Sequence, residues 1–484
     1  MLFNSLQFAV FFPVVTLLYF WLPHRMRVAL LLVASCVFYM AFVPKYILIL
    51  AFLIVVDYSA GILIENAQGH RRKLLLVTSL CANIGMLGFF KYFNFVNDNL
   101  AALAHFLDWN YTIQHLRIIL PIGLSFHTFQ SMSYTIEVYR GHVKAERSPA
   151  NFALYVMFYP QLVAGPIERP QNLLHQFREV HRFSRANFVA GIQLMATGLF
   201  KKMVIADRVS LVVNTVYAHP DQYSGMQLLV ATWLFAVQIY CDFAGYTEIA
   251  RGAAKVMGFD LMVNFNRPYL STSIADFWRR WHISLSTWFR DYVYIPLGGN
   301  RVNRARMCYN LAIVFILSGL WHGANWTFIA WGSLHALFIV VYVLTETPRT
   351  QATAALRGGS VAAINFLSWL LTFNLVSLAW VFFRAANVSD AMLVLRSIFS
   401  GASGPGATDL HPGLDGMQFV LVLCAMAGLT VLEIASTRRP MWAAIAEQPR
   451  WVRWSVYYTF GIAFAILLLL NPQHGPQPFV YFQF

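Results

Sequence analysis

His322 stands in a sequence setting where an imidazole could do acid–base chemistry. It ends an apolar stretch, in the run Ser318–Gly323, which reads Ser-Gly-Leu-Trp-His-Gly. Burial disfavours the charged form of an imidazole, so a buried His322 would be neutral and able to accept a proton as a general base. A lone histidine in an apolar region is also often a core residue with satisfied ring nitrogens. Both interpretations stand at this point.

The stretch 264–306 is unusually rich in arginine. Between Arg267 and Arg306 there are seven arginines and two aspartates. Long basic side chains can anchor a helix by reaching lipid phosphates. The same charge could instead form a basic mouth that captures an anionic cosubstrate. The arginines that could do either are Arg279, Arg280 and Arg290.

The same stretch has the pattern of an amphipathic helix. Trp278, Trp281 and Trp288 have the spacing of one helix face. Ser273 or Thr272, just before Asp276, is typical of a helix N-cap. The pattern predicts a helix along the inner membrane interface, with its tryptophans toward lipid or protein and its arginines toward phosphates.

Four ionisable residues fall inside apolar segments, where a charge is costly and therefore a functional candidate. For Asp57 and Lys91 we favour a structural role, as a buried pair or a bond to helix carbonyls. For Asp242 and Glu248 a functional and a structural role are equally open, because Arg251 could pair with Glu248.

These side chains must be positioned by a membrane protein. Of 484 residues, 58% are hydrophobic and only 12% are charged, and the mean hydropathy is +0.56. A soluble chain of this length could not bury so much apolar surface in one core. The net charge of +14 is what the excess of basic residues in cytoplasmic loops would give, so we predict a lipid bilayer and no nucleic acid as partner.

The apolar runs predict an all-α, polytopic fold of about eleven transmembrane helices. Basic loops alternate with loops poor in Lys and Arg, which predicts an extracytoplasmic N-terminus. Two further segments are short or broken: Asn151–Pro166, which we interpret as re-entrant, and Met307–Trp321. The predicted spans are 5–22, 28–43, 46–64, 74–96, 118–138, 189–217, 227–250, 324–345, 362–383, 417–435 and 453–470.

The length of the second short segment bears on His322. About 14 helical residues from Met307 to Trp321 reach only some 20 Å, whereas the hydrocarbon core is about 30 Å thick. Irregular backbone at that depth is tolerated only where it packs in protein or lines a cavity. The turn at His322 is therefore predicted to lie beside an internal cavity or tunnel.

Several familiar enzyme motifs are missing from the sequence. It has no Walker A loop, no HExxH zinc-protease motif, no GxSxG elbow and no HxxxxD motif. No internal repeat is evident, which counts against an inverted-repeat transporter. We predict one membrane domain over 1–484, most motif-rich over 118–345, with no soluble domain and no metal site.

Taken together, the motifs resemble the membrane-bound O-acyltransferase family, and within it the bacterial alginate O-acetyltransferase branch. The resemblance covers nearly the whole chain. The residues that carry it are Phe277–Trp288, Tyr294–Arg301, Gly319–Trp326, Leu120–Tyr134, Leu162–Arg169, Asp242–Tyr246 and Phe479–Phe484.

The resemblance implies a ring of transmembrane helices around a tunnel, with His322 at the family's catalytic position. It implies a second polar residue at His282, where other members often carry Asn or Asp. It also implies transfer of an acyl group from a thioester to a hydroxyl. In this branch the expected cosubstrate is acetyl-CoA, with no bound cofactor, and the acetyl group is delivered to an extracytoplasmic polysaccharide-modification machinery.

The resemblance suggests a role for each candidate residue. His322 would be the general base, and His282 would orient it or stabilise the oxyanion. Direct acylation of a histidine is a less favoured variant. Arg279, Arg280 and Arg290 would attract or hold the donor phosphates, and Trp278 would contribute to donor or substrate binding. Trp321 and Asn325 would shape the site.

The acceptor and even the class of protein have alternatives. The acceptor could be alginate, cellulose, peptidoglycan or, as D-alanylation, teichoic acid. A polytopic transporter of a glycan or an acyl carrier is the alternative of another class. We expect a multi-pass protein of the bacterial inner membrane.

Overall fold

The computed structural model describes residues 1–116, 120–163, 165–347, 359–401, 409–437, 439, 441–470 and 477–480. These residues form helices and contain no strand, which confirms the all-α prediction. Residues 481–484 of the C-terminal motif lie outside the described residues. The helices are α1 (Leu6–Trp21), α2 (His24–Met40), α3 (Ile47–Asn66), α4 (Gly69–Leu87), α5 (Phe93–Phe106), α6 (Leu124–Arg140), α7 (Pro149–Met157), α8 (Pro170–Leu173), α9 (Arg185–Leu199), α10 (Asp207–Ala218), α11 (Gly225–Met257), α12 (Ile274–Arg280), α13 (Ile283–Phe289), α14 (Arg304–His322), α15 (Trp326–Leu344), α16 (Gly359–Arg384), α17 (Val388–Ser400), α18 (Gly416–Ala435), α19 (Met441–Ala446) and α20 (Arg450–Leu469).

Eight helical segments of the described chain are long and apolar enough to cross a membrane. Three other predicted spans are the helices α1, α2 and α6, which have 16, 17 and 17 residues. The chain is therefore a polytopic membrane protein. The eight segments are Pro44–Asn66, Gly69–Phe106, Arg185–Ala218, Gly225–Met257, Trp326–Leu344, Gly359–Arg384, Gly416–Ala435 and Arg450–Leu469.

Helix α11 is the central element of the core. It has 33 residues and is buried along most of its length, packed against α9, α10, α16 and α17. It begins with a capping box, in which the Ser224 side chain accepts from the Gln227 N–H and the Gln227 side chain accepts from the Ser224 N–H. Because α11 is buried on all sides, the helices around it pack against it and are positioned by it.

The hairpin of α14 and α15 carries His322. The two helices cross where Gly319 faces Gly332, because a Cβ on Gly319 would lie 2.3 Å from the Phe328 carbonyl oxygen. Small residues at such a crossing let the two backbones approach closely.

Helix α14 is longer than the sequence pattern indicated. Asn303 caps it by accepting from the Arg306 N–H at 2.8 Å, so it begins at Arg304 and not at Met307. Its 19 residues reach about 28 Å, close to a full membrane crossing. The helix therefore starts earlier than the length argument assumed, so its length does not place His322 part-way through the hydrocarbon core. The burial of His322 within the protein, at 4% exposure, is what supports an internal site.

The stretch that was predicted to form one amphipathic helix forms two short helices, α12 and α13. Ser273 caps α12, accepting from the Asp276 N–H at 3.2 Å, which confirms the predicted N-cap. The helical path breaks at Trp281 and His282, and His282 adopts φ +44°. The single continuous helix is therefore wrong. Trp281 and Trp288 are buried in the protein, which is one of the two surroundings predicted for the tryptophans.

The predicted re-entrant segment is irregular and buried. Helix α7 ends at Met157, and residues 158–163 form turns that are buried in the protein. The Tyr159 N–H donates to the Ser35 hydroxyl at 3.0 Å. The irregular backbone of this segment is thus buried in protein, which is where non-helical backbone at membrane depth is tolerated.

Asp57 has a structural role, as predicted. It is fully buried and ties α3 to α4 and α6 by accepting from Ser79 at 2.6 Å, from Asn83 at 2.9 Å and from Ser131. Each of these donors is neutral, so the carboxyl holds three helices together without an opposite charge.

Asp242 and Glu248 are both paired with lysines of the segment between α9 and α10. Lys202 Nζ lies 2.7 Å from Asp242, and Lys201 Nζ lies 2.6 Å from Glu248. The partner of Glu248 is therefore Lys201 and not Arg251. These pairs attach α11 to its neighbours, which favours the structural interpretation of both carboxylates.

Candidate active site

His322 is the last residue of α14, and aromatic rings surround its imidazole. The ring centroids of Trp321, Trp331 and Phe383 lie 4.9, 5.0 and 5.3 Å from that of His322. The planes of all three rings are steeply inclined to the imidazole plane. These edge-to-face contacts restrict rotation of the imidazole.

The backbone at His322 is held by a lysine. Lys91 Nζ donates to the carbonyls of Trp321 and His322, each at 2.8 Å, and Tyr92 donates to the carbonyl of Leu320. The last carbonyls of a helix lack internal partners and carry partial negative charge, so a cation there is stabilising. This confirms the predicted structural role of Lys91 and fixes the end of α14.

His282 is oriented by Asn264. The Asn264 Oδ1 atom accepts from the Ser284 N–H at 3.2 Å and from the Ser284 hydroxyl at 2.9 Å, so it is the amide oxygen. It lies 3.1 Å from His282 Nδ1, which must therefore donate to it. In a neutral imidazole the other nitrogen is then an acceptor. His282 Nε2 is buried and has no hydrogen-bond partner among the described residues.

The two candidate histidines share one aromatic chamber. Trp321 lies between them, with its ring 6.1 Å from His282 and 4.9 Å from His322. Phe126 stacks on His282 at 6.2 Å and meets Trp321 at 5.2 Å. The structure thus brings His282, Trp321 and His322 together, although His282 and His322 belong to different helical segments.

A cavity of about 520 Å³ lies between α13 and α14. Its lining includes Arg279, Arg290, Trp278, Phe315 and Ser318. Ser318 is one helical turn before His322 on α14. We call it the α13–α14 cavity. Its arginines, at 279 and 290, are exposed, whereas its other lining side chains are mostly apolar.

Comparison with known proteins identifies the family. The model of the membrane-bound O-acyltransferase family matches residues 141–382, which include both candidate histidines and the α13–α14 cavity. The chain is 39% identical over 427 residues to a probable alginate O-acetylase of Pseudomonas aeruginosa, covering 86% of this chain and 78% of that one. It is 40% identical over 444 residues to the Azotobacter vinelandii protein of that name, covering 90% and 85%.

A peptidoglycan O-acetyltransferase of Helicobacter pylori is 35% identical over 433 residues, covering 82% of this chain and 80% of that one. The chain belongs to the membrane-bound O-acyltransferase family. It is therefore an O-acyltransferase.

Two predicted site residues of this acyltransferase, Arg280 and Asn325, belong neither to the chamber of His282, Trp321 and His322 nor to the lining of the α13–α14 cavity. Arg280 forms an ion pair with Asp276 at 3.0 Å and is not among the residues that line the cavity. Asn325 caps α15, accepting from the Thr327 N–H at 3.0 Å and donating to the Ala386 carbonyl at 3.2 Å. Its amide therefore sets the start of α15 after the turn at His322.

The acyltransferase also has a larger cleft, of about 950 Å³, on the other side of the segment 290–294. Tyr292 lines it, and the guanidinium carbons of Arg140 and Arg169 lie 5.0 and 4.5 Å from its ring centroid. Arg169 also pairs with Asp291 at 3.3 Å. Nothing in the local sequence pattern of Arg140 and Arg169 indicates that they converge on one ring.

Glu168 is buried behind the Tyr292 cleft. Burial raises the pKa of its carboxyl to about 7, against the lowering effect of the Met262 N–H, which donates to it at 2.5 Å. Asn172 donates to the same carboxyl at 2.6 Å. Met262 and Asn172 also line the cleft, so the Glu168 carboxyl lies directly behind its wall.

Sequence reasoning did not single out a third buried histidine, which lies beside Trp331. His335 on α15 is fully buried, and its ring lies 4.9 Å from both Trp278 and Trp331. The indole N–H of Trp278 donates to His335 Nδ1 at 3.2 Å. The signal available was a histidine inside an otherwise apolar span, on the helix that follows His322.

Proposed function

We propose that this acyltransferase transfers the acetyl group of cytoplasmic acetyl-CoA to a hydroxyl, for the O-acetylation of an exported polysaccharide. The observation that carries this proposal is the chamber shared by His282 and His322, one helical turn from a cavity with arginines at its exposed end. A basic entrance suits an anionic donor, and an apolar interior suits its acyl-bearing arm.

The donor would enter by the α13–α14 cavity. Arg279 and Arg290 are exposed there and would pair with the phosphates of the nucleotide. Arg280 would contribute long-range attraction only, because it does not line the cavity. Arg290 would exchange its ion pair with Asp291, at 2.8 Å, for a donor phosphate. Trp278 lies further in, where the thioester arm would pass toward Ser318 and the chamber.

His322 is the proposed general base. The acceptor oxygen attacks the thioester carbon, the C=O electron pair moves onto its oxygen, and the hydroxyl proton goes to His322. When the C=O bond re-forms, the C–S bond breaks and the CoA thiolate takes that proton. The products are an O-acetyl ester and free CoA. His282 Nε2 is an acceptor, so it would orient a donor group such as the acceptor hydroxyl or His322 and not stabilise an oxyanion.

The acceptor is proposed to be an exported glycan such as alginate, reached through extracytoplasmic proteins of a polysaccharide-modification complex. Four further relatives besides those above are likewise named for alginate or teichoic acid. The peptidoglycan O-acetyltransferase of H. pylori, matched over 82% of this chain, favours peptidoglycan as the second candidate. We propose an inner-membrane location, with the N-terminus outside and the mouth at Arg279 in the cytoplasm.

The test is the turnover of radiolabelled acetyl-CoA by the purified protein in detergent, with alginate oligosaccharides or peptidoglycan fragments as acceptor. His322→Ala is expected to lower kcat by about 10²–10⁴-fold, the contribution of a general base. His70→Ala, at an exposed histidine of α4, is the matched control and should keep wild-type turnover. Full acetylation by a correctly folded His322→Ala protein would show that His322 is not the base.

A further inference from the structure

His335 is held in a defined tautomer. It lies at the middle of α15, fully buried, and its Nδ1 atom accepts the indole N–H of Trp278 at 3.2 Å. An indole nitrogen can only donate, so Nδ1 of His335 carries no proton. The proton of the neutral ring is therefore on Nε2, which makes that nitrogen a hydrogen-bond donor.

This donor has no partner within the part of the chain that the structure describes. His335 Nε2 is buried and unpaired, and so is the indole nitrogen of Trp331, which is fully buried beside it. An unsatisfied buried donor is destabilising, and buried polar groups in proteins are nearly always paired. The two rings lie 4.9 Å apart, centroid to centroid, and a bound oxygen atom would satisfy such donors.

The position of these donors fits the reacting group. Trp331 lies 5.0 Å from His322 and 4.9 Å from His335, ring to ring, so it separates the two histidines by one ring. His335 also contacts Trp278, which lines the α13–α14 cavity. His335 thus lies between the proposed donor path and His322.

The reaction needs a donor that His282 does not supply. Negative charge develops on the thioester carbonyl oxygen in the transition state, and preorganised N–H groups aimed at that oxygen are a large source of catalysis. Asn264 keeps the proton of His282 on Nδ1, so its Nε2 faces the chamber as an acceptor. His335 has the opposite arrangement, with Nε2 as the donor.

We propose that His335 is a further catalytic residue, whose Nε2–H, with the Trp331 indole N–H, binds the carbonyl oxygen of the acyl donor. This role rests on the proposed function. As the acceptor oxygen attacks, the C=O electron pair moves onto the bound oxygen, and the two N–H groups stabilise its charge. The pair returns when the C–S bond breaks, and His335 keeps its proton throughout.

A structural role for His335 is the competing explanation. Its ring is surrounded by aromatic rings, among them Phe277, Phe315 and Trp380, so its N–H could rest on a ring face. In that case the histidine would only hold Trp278 in position. Asparagine and glutamine variants separate the two roles. An Asn side chain places a polar atom near Nδ1 and can still accept from Trp278, whereas Gln places an N–H near Nε2.

The experiment measures kcat and KM for acetyl-CoA, and the thermal unfolding midpoint, for wild type, His335→Asn, His335→Gln and His335→Phe. If His335 binds the oxygen, Asn and Phe lower kcat by about 10²–10³-fold, the loss for one oxyanion donor. Gln then stays within about tenfold of wild type, and KM changes little. Wild-type kcat in His335→Asn overturns the proposal. So does an equal loss in all three variants that follows their unfolding midpoints.

The same experiment separates this inference from the proposed function. A wild-type protein that does not turn over acetyl-CoA refutes the proposed donor, and the role of His335 with it. An active wild type that loses activity with His322→Ala but keeps it with His335→Asn refutes the role of His335 alone.

Discussion

Replacing Gly319 with alanine tests whether the close crossing of α14 and α15 positions the site. The added Cβ would lie 2.3 Å from the Phe328 carbonyl oxygen, whereas ordinary contact begins near 3.4 Å. The helices must therefore separate by about 3.4 − 2.3 = 1.1 Å at this point, because the obstacle is backbone. His322 lies one turn beyond Gly319 on α14, while Trp331 and His335 are on α15.

A displacement of about 1 Å between catalytic groups can cost about 10²-fold in rate. We therefore expect Gly319→Ala to lower kcat for acetyl-CoA turnover by about 10²-fold and to lower the unfolding midpoint. Gly428→Ala is the matched control, because a Cβ at that position of α18 meets nothing within 4 Å. Wild-type kcat in a well-folded Gly319→Ala protein would refute the idea that this crossing sets the geometry.

Two further predictions concern Asn264 and Glu168. Asn264→Ala should lower kcat and also stability, by about 2–6 kcal/mol, since it leaves the buried donors His282 Nδ1–H and Ser284 N–H unpaired; unchanged turnover and unfolding would contradict the assigned tautomer. In the folded protein the pKa of Glu168 is raised from 4.5 to about 7. Protonation of this carboxyl therefore stabilises the fold, and its contribution is complete below pH 4.5. About 3 kcal/mol of this stability is lost as the pH rises through 7. Unfolding midpoints at pH 5 and 8 should differ less in Glu168→Gln than in wild type, and an equal difference would rule out this carboxyl as the cause.

The sequence predicts the parts of this fold that depend on composition. Apolar runs locate the long helices, since length and hydropathy alone decide what can cross a bilayer. The need of Asp57 for buried polar partners also follows from the cost of an intramembrane charge. The start of α14 is harder to predict from the sequence. Asn303 caps this helix, which therefore begins at Arg304, three residues before the apolar run begins at Met307.

The site itself depends on tertiary contacts that spacing does not reveal. Trp278, Trp281 and Trp288 have helical spacing, but the helix is interrupted at His282. The side chain of Asn264, 18 residues earlier in the chain, binds His282 at this break. His335 looks like any core histidine until the indole that donates to it is known. Local pattern therefore identifies the residues of the site better than it identifies their hydrogen-bonding roles.

The left-handed backbone at His282 limits which residues can replace it. At φ +44° most side chains are strained by about 1–2 kcal/mol, whereas Asn, Asp and His enter this region more readily. The polar residues that the family resemblance expects at this position are thus those that the backbone tolerates. An alanine scan here would confound lost chemistry with a strained turn. His282→Asn, which keeps the turn and a side chain able to bind Asn264, is the substitution whose kinetics can be interpreted.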